Sequence, residues 1–248
     1  GQRVLFGVAD DVEYRVVDSP ESIVVRTTRL ETAFADVAIA VHPNDPCLAK
    51  FVGKRMHHPL LPDKTLPVVA DDVLVDPTLG TGAVKVTPTH DENDLACALR
   101  LGLPLGEPVI RDDGTLDPNM VSVEFAGMDR FAARARLRNR HAIKTHDHAM
   151  VVSLCSRTGD VIEPRLKPQF FVRMNDLAEK ARTLPGLAFF PPNPHRGEWD
   201  NWLSAPRDWC VPRQIKWGHR IPAFRLRDSP DASESWVAAR TPEEASKK

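Results

Sequence analysis

The stretch 80–95, GTGAVKVTPTHDENDL, holds the residue types most able to do chemistry in this chain. Its alternating part, AVKVT, predicts a strand in which Lys85 and Thr87 point to the same face. Asp91 and Asp94 are three positions apart in the helix predicted next, so they also share a face. Because only Pro-Thr joins strand and helix, we expect these side chains to line one pocket. An ammonium, a hydroxyl and carboxylates would bind a ligand that carries an ammonium group and a hydroxyl.

A purely structural interpretation of the same residues stays open. Acids in the first turn of a helix complement the helix dipole without any further role. A lysine at a sheet edge discourages edge-to-edge association. The stretch Gly80-Thr81-Gly82 matches neither the phosphate-binding loop nor the dinucleotide-binding pattern. On spacing alone, the structural interpretation is favoured over the pocket.

A row of arginines, Arg130, Arg134 and Arg138, recurs at four-residue spacing in a helix predicted over 127–144. Such a row is able to hold the phosphates of a nucleic acid. Arginine is also a good helix former on a solvated face, so both interpretations stay open. The net charge of the chain is −1, and any RNA contact therefore requires a local basic patch.

Neither a metal site nor a covalent nucleophile is predicted. His146 and His148 would share one strand face, and His57-His58 is a second pair, but neither has a third ligand nearby. No Ser–His–Asp or Cys–His order stands out. The cysteines form no C-x-x-C pair, so we expect no zinc or disulfide framework and a reducing compartment. We expect the cytoplasm, with the mitochondrion as the alternative. The cysteines are Cys47, Cys97, Cys155 and Cys210.

Short strands separated by turns predominate in the sequence pattern. The 22 prolines and 13 glycines among 248 residues predict short elements and many loops. Strands are predicted in 1–30, in 57–88 and again from 151, which indicates a barrel or a sandwich and a mainly β fold with helices, of the α+β class. No apolar run is long enough for a transmembrane helix, so no membrane partner is expected.

Helix ends and turns are predicted from local signals. Thr89 and Glu92 fit a capping box at the start of a helix over 90–101, and Gly102 fits its end. The segment CLAKFVGKRM is predicted to be helical until Gly53. Asp113-Gly114 predicts the turn of a hairpin.

A change of composition near residue 185 predicts a domain boundary. The segment that follows is rich in tryptophan and proline and lacks the strand rhythm of the first part. We therefore expect one domain over 1–185 and a separate packing unit over 186–248. The polar tail 228–248 has the composition of a disordered segment.

Six segments of the chain resemble the valyl-tRNA synthetases, and within them the inserted editing domain, also called CP1. They run in the family's order over nearly the whole chain. They are RTTRLET (26–32), AVHPND (40–45), GTGAVKVTPTHDENDL (80–95), MDRFAARA (128–135), CSRTGDVIEPRLKPQFFVRM (155–174) and DWCVPRQIKWGHRIPAF (208–224). The resemblance implies a closed six-stranded β-barrel with helices over 1–185, and over 186–248 the return connection to a class I catalytic domain.

The resemblance also implies a fragment of a longer enzyme. The catalytic domain's nucleotide-binding signatures, HIGH and KMSKS, do not occur, and the chain begins at Gly1 without a methionine. ATP is therefore expected only in the catalytic domain of the parent enzyme, and no cofactor is expected for editing. The implied partner is tRNA(Val) with its 3′-terminal adenosine and a threonyl ester, and the protein is expected to be a monomer.

The residue at position 85 separates the valyl pattern from its relatives. Isoleucyl and leucyl synthetases resemble G-T-G-x-V-H and G-T-G-A-V-M, whereas this chain has G-T-G-A-V-K. Threonine is nearly isosteric with valine, so a hydrophobic pocket cannot reject it strongly and a second, hydrolytic site must read the hydroxyl. The resemblance implies that Lys85 reads this hydroxyl and that Asp94 binds the substrate's α-ammonium. Asp91 and Thr87 would complete a catalytic pocket in which water is the nucleophile.

By the same resemblance, one wall of the pocket receives the terminal adenosine and the ester. This wall consists of Thr27, Thr28, Arg29, Glu31 and Thr32. The chain departs from the family at Leu30, at Phe170-Phe171 and at Thr158, which stands where a second cysteine is common. Two alternatives stay open: a non-catalytic tRNA-binding module, and the editing domain of an isoleucyl-type synthetase.

Overall fold

The computed structural model divides the chain into two compact units, Gly1–Leu166 and Lys167–Lys248. The residues it describes are 6–141, 143–191, 194–213, 215, 217–225 and 236–247. The composition change near 185 therefore lies inside the second unit rather than at the boundary between the two. The physical reason is that helix α3 (Asn175–Arg182), which precedes the change, packs against helix α4 (His195–Ser204), which follows it.

The described residues of the first unit form seven strands, two α-helices and three 3₁₀ helices. The strands are β1 (Val8–Val16), β2 (Ser22–Thr27), β3 (Ala38–Val41), β4 (Arg55–His57), β5 (Thr65–Ala70), β6 (Ala83–Val86) and β7 (Thr145–Asp147). The helices are α1 (Glu92–Leu101) and α2 (Arg130–His141), and the 3₁₀ helices are Leu30–Ala35, Ala49–Phe51 and Val123–Phe125.

Six of these strands form a nearly closed barrel in the order β2-β1-β4-β5-β3-β6, and β7 pairs with β1 outside this path. The neighbours are antiparallel except β3 and β5, which are parallel. The end strands β2 and β6 lie against each other, but no ladder of hydrogen bonds joins their described residues. We call this junction the seam. The predicted α+β class and the six-stranded barrel are confirmed.

The core of the first unit lies on both faces of the barrel wall. Inside the barrel, alternating residues such as Tyr14, Ile23 and Val25 are fully buried. On the opposite face, Ala40 and Val86 pack with Cys97 of α1. Strand β3 is buried on both faces, which explains why its sequence, AIAV, is apolar throughout rather than alternating.

Helix α1 begins later than the capping-box pattern predicts. Its N-cap is Asp91, whose carboxylate accepts hydrogen bonds from the N–H groups of Asn93 and Asp94. The prediction of Thr89 as the N-cap was wrong, because the chain first makes a turn in which the N–H of His90 bonds to the carbonyl of Thr87. The predicted stop is confirmed, since Gly102 takes a left-handed conformation with φ 64°.

Three other predicted segments have mixed outcomes. The hairpin turn at Asp113-Gly114 is confirmed, because an antiparallel bridge joins Ile110 before the turn to Leu116 after it. The predicted helix in CLAKFVGKRM is reduced to the single 3₁₀ turn Ala49–Phe51. It ends there because Gly53, at φ 83°, leaves the helical region. Of the strands predicted from 151, the first unit contains only a bridge between Leu154 and Val161.

The arginine row of α2 points into the protein. Arg134 makes two hydrogen bonds of 2.6 Å to Glu31, Arg138 makes two of 2.7 and 2.8 Å to Asp10, and Arg130 pairs with Glu163. Arg130 and Arg134 are only 7% and 4% exposed. The solvated-face interpretation is wrong for these two residues. The phosphate-binding interpretation of Arg130, Arg134 and Arg138 also lacks geometric support, because carboxylates of the same unit already neutralise them.

The second unit consists of short elements. Besides α3 and α4, it contains β8 (Phe171–Val172), β9 (Trp209–Cys210), β10 (Ala223–Arg225), β11 (Trp236–Ala238) and α5 (Pro242–Ala245). β8 pairs with β9, and β10 pairs with β11. In the predicted polar tail, residues 228–235 and 248 lie outside the described residues, whereas 236–247 contain a strand and a helical turn. None of the helices in the described part of the chain has the length and hydropathy needed to cross a membrane.

Replacing Arg134 with methionine should destabilise the first unit strongly. It leaves the fully buried carboxylate of Glu31 without its two shortest hydrogen bonds, and breaking a buried ion pair on one side typically costs about 3–5 kcal/mol. Urea unfolding followed by circular dichroism measures the loss. Arg136→Met is the matched control on the same helix, because that side chain is half exposed, and it should change stability by less than about 0.5 kcal/mol. Equal losses in the two variants would contradict the structural role of Arg134.

Candidate functional site

A cavity of about 520 Å³ opens at the seam between β2 and β6. This volume lies in the range usual for small-molecule sites. The cavity forms here because the two end strands do not complete the ladder, so the residues that follow β2 and those of β6 face each other across a gap. Its lining includes Arg26, Thr27, Thr28, Arg29, Thr32, Lys85, Thr87, His90, Asp91 and Asp94.

Lys85 lies on the floor of this cavity and is only 7% exposed. Its ammonium donates to Thr32 Oγ1 at 2.9 Å, to Thr87 Oγ1 at 2.6 Å and to Asp36 Oδ1 at 3.3 Å. These contacts use all the donors that a lysine has. The predicted strand alternation therefore holds: Lys85 and Thr87 share a face, and that face lines a pocket. The predicted position of Lys85 at a sheet edge also holds, because β6 is an end strand of the sheet.

Asp36 is the partner that the sequence analysis missed. It is fully buried behind the cavity floor, where one carboxylate oxygen accepts from Tyr14 at 2.6 Å and the other from Thr87 Oγ1 at 2.7 Å. Its only signal in the sequence is an acid directly before the apolar strand β3. An acid in that position must find a partner, because a buried charge without one is very costly.

Asp94 lies beside Thr87 at the start of α1. Its Oδ2 accepts the Thr87 N–H at 2.8 Å. Burial raises the pKa of Asp94 to about 6, against the lowering effect of the Lys85 charge and of this hydrogen bond. Asp91 also borders the cavity, but one of its oxygens caps α1. Asp94 is thus the acid whose charge state is poised near neutral pH.

The wall after β2 is held by its own hydrogen bonds. Thr27 Oγ1 accepts the Arg29 N–H at 3.0 Å, and Thr32 Oγ1 donates to the Arg29 carbonyl at 2.9 Å. Thr27, Thr28, Arg29 and Thr32 border the cavity as predicted. Glu31 does not border it, because its carboxylate turns away to pair with Arg29 and Arg134. Burial raises the pKa of Glu31, but the Arg134 hydrogen bonds and charge outweigh this and lower it.

Glu163 was also missed, although it lies in a segment that carried the resemblance. Its carboxylate pairs with Arg29 on the cavity wall, with Arg130 of α2 and with His90 Nδ1 at 3.1 Å. His90 Nε2 accepts from the N–H of Val109 at 3.0 Å, so in the neutral ring Nδ1 carries the proton and donates to Glu163. The Glu163 carboxylate therefore connects Arg29 on the cavity wall, His90 in the cavity lining and Arg130 of α2. The sequence gives no local sign of it.

The histidine pairs do not converge on a metal-binding cluster. His146 Nε2 lies 2.6 Å from Asp11 Oδ2 at the cavity rim, next to Arg26. His58 is buried in the barrel, where its Nε2 donates to the carbonyl of Ala33 and its Nδ1 accepts from Leu60 N. Among the described residues, no group of three or more His, Cys, Asp or Glu side chains could hold a metal ion. The expectation of no metal stays a prediction.

The arrangement matches a ligand with an ammonium group and a hydroxyl. Asp94 offers a carboxylate, Lys85 offers a charged donor, and the oxygens of Thr32 and Thr87 lie within reach of that donor. The cavity contains no paired serine or cysteine nucleophile among its described lining residues.

Comparisons with known proteins agree along the whole chain. A family model described as tRNA synthetases class I (I, L, M and V) matches residues 12–248. Valine–tRNA ligase of Caenorhabditis elegans is 42% identical over 98% of this chain and 24% of its own length. Valine–tRNA ligase of Mus musculus is 41% identical over 100% of this chain and 20% of its own. The mitochondrial valine–tRNA ligase of Saccharomyces cerevisiae is 38% identical over 100% and 23%.

Two solved structures are similar to part of this chain. The ternary complex of Agrobacterium radiobacter agnB2 LeuRS with tRNA and LeuAMS has a TM-score of 0.44 at 21% identity, and covers 64% of this chain and 24% of that one. GlLeuRS-CP1 has a TM-score of 0.42 at 12% identity, and covers 58% and 99%. The family assignment rests on the sequence matches and not on these structures.

The chain spans 20–24% of the length of the relatives named above. Because one family model accounts for residues 12–248 and the matched relatives are valine–tRNA ligases at about 40% identity, this chain belongs to the class I tRNA synthetases.

Proposed function

We propose that this chain is the editing domain of a valine–tRNA ligase and that it hydrolyses threonyl-tRNA(Val). The observation that carries the proposal is the buried Lys85 ammonium on the floor of a cavity that Asp94 also borders. The ammonium distinguishes a hydroxyl from a methyl group, and the carboxylate binds the α-ammonium of an aminoacyl ester. The valine–tRNA ligase relatives and the lysine at position 85 favour this over an isoleucyl-type domain.

Discrimination rests on the chemistry of the side-chain donor. A lysine ammonium donates hydrogen bonds and accepts none, so a threonine hydroxyl is a partner for it and a valine methyl group is not. The Asp36 contact, at 3.3 Å, is the longest of the three that Lys85 makes. The Lys85 N–H that donates to Asp36 can be redirected to the substrate hydroxyl at the smallest loss of free energy. The charges of Lys85 and Asp36 still attract each other after this N–H has turned.

The reaction is ester hydrolysis by water. Water attacks the ester carbonyl, the bond to the ribose oxygen breaks, and the products are threonine and tRNA with a free hydroxyl on its terminal ribose. Arg29, Thr27 and Thr28 border the cavity, where they would hold the terminal adenosine and the ester. Asp94, Asp91 and Thr87 would orient the substrate and the water. No enzyme-bound intermediate is needed.

The non-catalytic tRNA-binding module is the weaker candidate. It requires a pocket that has lost its reactive groups, whereas Lys85, Thr87 and Asp94 all border the cavity. The arginine row of α2 does not support it either, because those guanidinium groups are paired inside the first unit. The proposed tRNA partner therefore requires another surface. Arg26, which also borders the cavity, is a further arginine beside the proposed adenosine site. The monomeric state, and the cytoplasm or mitochondrion as compartment, stay predictions. ATP use belongs to the parent enzyme.

Lys85→Met should narrow the difference between the two esters. Removing a charged hydrogen bond costs about 1.5–3 kcal/mol, or roughly ten- to a hundredfold, and only the threonyl ester loses it. The measurement is the deacylation rate of threonyl-tRNA(Val) and valyl-tRNA(Val). Lys54→Met is the control, since this lysine pairs with Glu21 away from the cavity, and it should keep the wild-type ratio. An unchanged ratio in Lys85→Met would remove Lys85 as the reader.

Deacylation should depend on pH through Asp94. Its carboxylate binds an ammonium only when ionised, and its pKa is about 6, so kcat/KM should rise with pH through that value. It should fall again at about pH 8, where the substrate's α-ammonium loses its proton. Asp94→Asn should lower kcat/KM by roughly ten- to a hundredfold at pH 7.5 and lose the inflection near pH 6. The check is a pH profile of both proteins at constant ionic strength. An inflection that persists in Asp94→Asn would assign it to another group.

The chain alone should not activate valine. Neither nucleotide-binding signature of a class I catalytic domain occurs in its sequence, so valine-dependent exchange between ATP and pyrophosphate should be at background. A full-length valine–tRNA ligase serves as the positive control. Exchange above background by this chain would contradict the separation of editing from activation.

A further inference from the structure

We infer that Asp36 is a specificity-determining positioning residue that fixes the direction of the hydrogen bonds on the cavity floor. This inference rests on the proposed editing function. Asp36 does not border the cavity and cannot touch the substrate directly. Its effect must pass through Lys85 and Thr87, whose side chains both contact it and both face the cavity.

The proton positions follow from the types of group involved. Thr87 Oγ1 lies between the Lys85 ammonium at 2.6 Å and Asp36 Oδ1 at 2.7 Å. The ammonium only donates and the carboxylate only accepts. The hydroxyl proton of Thr87 must therefore point to Asp36, and its lone pairs must face Lys85.

The same argument applies to Thr32. Its Oγ1 lies between the Lys85 ammonium at 2.9 Å and the carbonyl of Arg29 at 2.9 Å. The carbonyl only accepts, so this hydroxyl also directs its proton away from the ammonium. Both hydroxyls on the floor are thus held as acceptors, and Lys85 is the donor between them.

Tyr14 fixes the carboxylate itself. Its hydroxyl donates a hydrogen bond of 2.6 Å to Asp36 Oδ2, which leaves Asp36 Oδ1 to accept from Thr87 and Lys85. Tyr14 and Asp36 are both fully buried, so water does not compete for these bonds. Burial and charge-assisted bonding together hold the carboxylate in one orientation.

A floor with this fixed polarity reads a hydroxyl in two ways. The substrate hydroxyl accepts from Lys85 and donates to an oxygen of Thr32 or Thr87. A methyl group does neither. With an amide in place of the Asp36 carboxylate, an N–H group could face Thr87, and its hydroxyl would be free to turn toward the cavity. The floor would then offer donors and acceptors in several arrangements, and the advantage of threonine over valine would shrink.

The test is Asp36→Asn, with deacylation of threonyl- and valyl-tRNA(Val) as the readout. We expect the ratio of the two kcat/KM values to fall at least tenfold. Asp10→Asn is the matched control, since Asp10 is also a fully buried barrel carboxylate but pairs with Arg138 and does not border the cavity. Asp10→Asn should lower stability and keep the wild-type ratio. An unchanged ratio in folded Asp36→Asn would overturn the inference.

A double-mutant cycle with Lys85→Met tests whether Asp36 acts through the ammonium. In the Lys85→Met background, Asp36→Asn should leave the remaining ratio within about twofold, whereas independent action would lower it again by the same factor and contradict the inference. Tyr14→Phe is the variant to use if Asp36→Asn does not fold; it should lower the ratio at least threefold, and no change would count against the inference. A wild-type protein that shows no preference for the threonyl ester would instead refute the proposed function, which separates the two failures.

Discussion

The structure of the cavity depends on one requirement, that the buried ammonium of Lys85 be compensated. A charge removed from water without a partner is too costly to keep, and here the compensation comes from the Asp36 carboxylate and two threonine hydroxyls. Those groups lie on the 3₁₀ helix Leu30–Ala35 and just after it, and on the end of β6. The position of that helix against the barrel is therefore tied to the lysine, and so is the gap at the seam.

A second set of paired charges stands behind the cavity wall. Arg29 borders the cavity, and its guanidinium pairs with Glu31 and Glu163, which in turn pair with Arg134 and Arg130. Each carboxylate thus holds one arginine of the wall and one of α2. Burial raises the pKa of Glu163, but His90 and Arg29 outweigh this and lower it. The wall is consequently fixed by the neighbouring Glu31 and also by Glu163 and Arg134, which lie more than 100 positions away from the wall in sequence.

Local patterns in the sequence were sufficient for strand β6, for helix α1 apart from its first residue, and for half of the floor. The alternation in AVKVT and the spacing of Asp94 placed Lys85, Thr87 and Asp94 on one cavity, since these relations extend over at most nine residues. Asp36 and Glu163 were missed because they meet Lys85 and His90 across 49 and 73 positions. No periodicity reports such contacts. The arginine row of α2 shows the same limit: its spacing was correct, but its partners were visible only in the fold.

Thr87 joins the two halves of the site. Its hydroxyl donates to Asp36, and its backbone N–H donates to Asp94 at 2.8 Å. Thr87 therefore sets the distance between Lys85, the proposed reader of a side-chain hydroxyl, and Asp94, the proposed partner of an α-ammonium. In the substrate threonine, the hydroxyl and the α-ammonium are on adjacent carbons, so the distance between them varies over a narrow range. Threonine and valine are nearly isosteric, so the shape of the cavity alone cannot distinguish them. Hydrogen-bonding groups held at a fixed distance can distinguish them, and a rigid floor therefore suits threonine better than an adaptable floor.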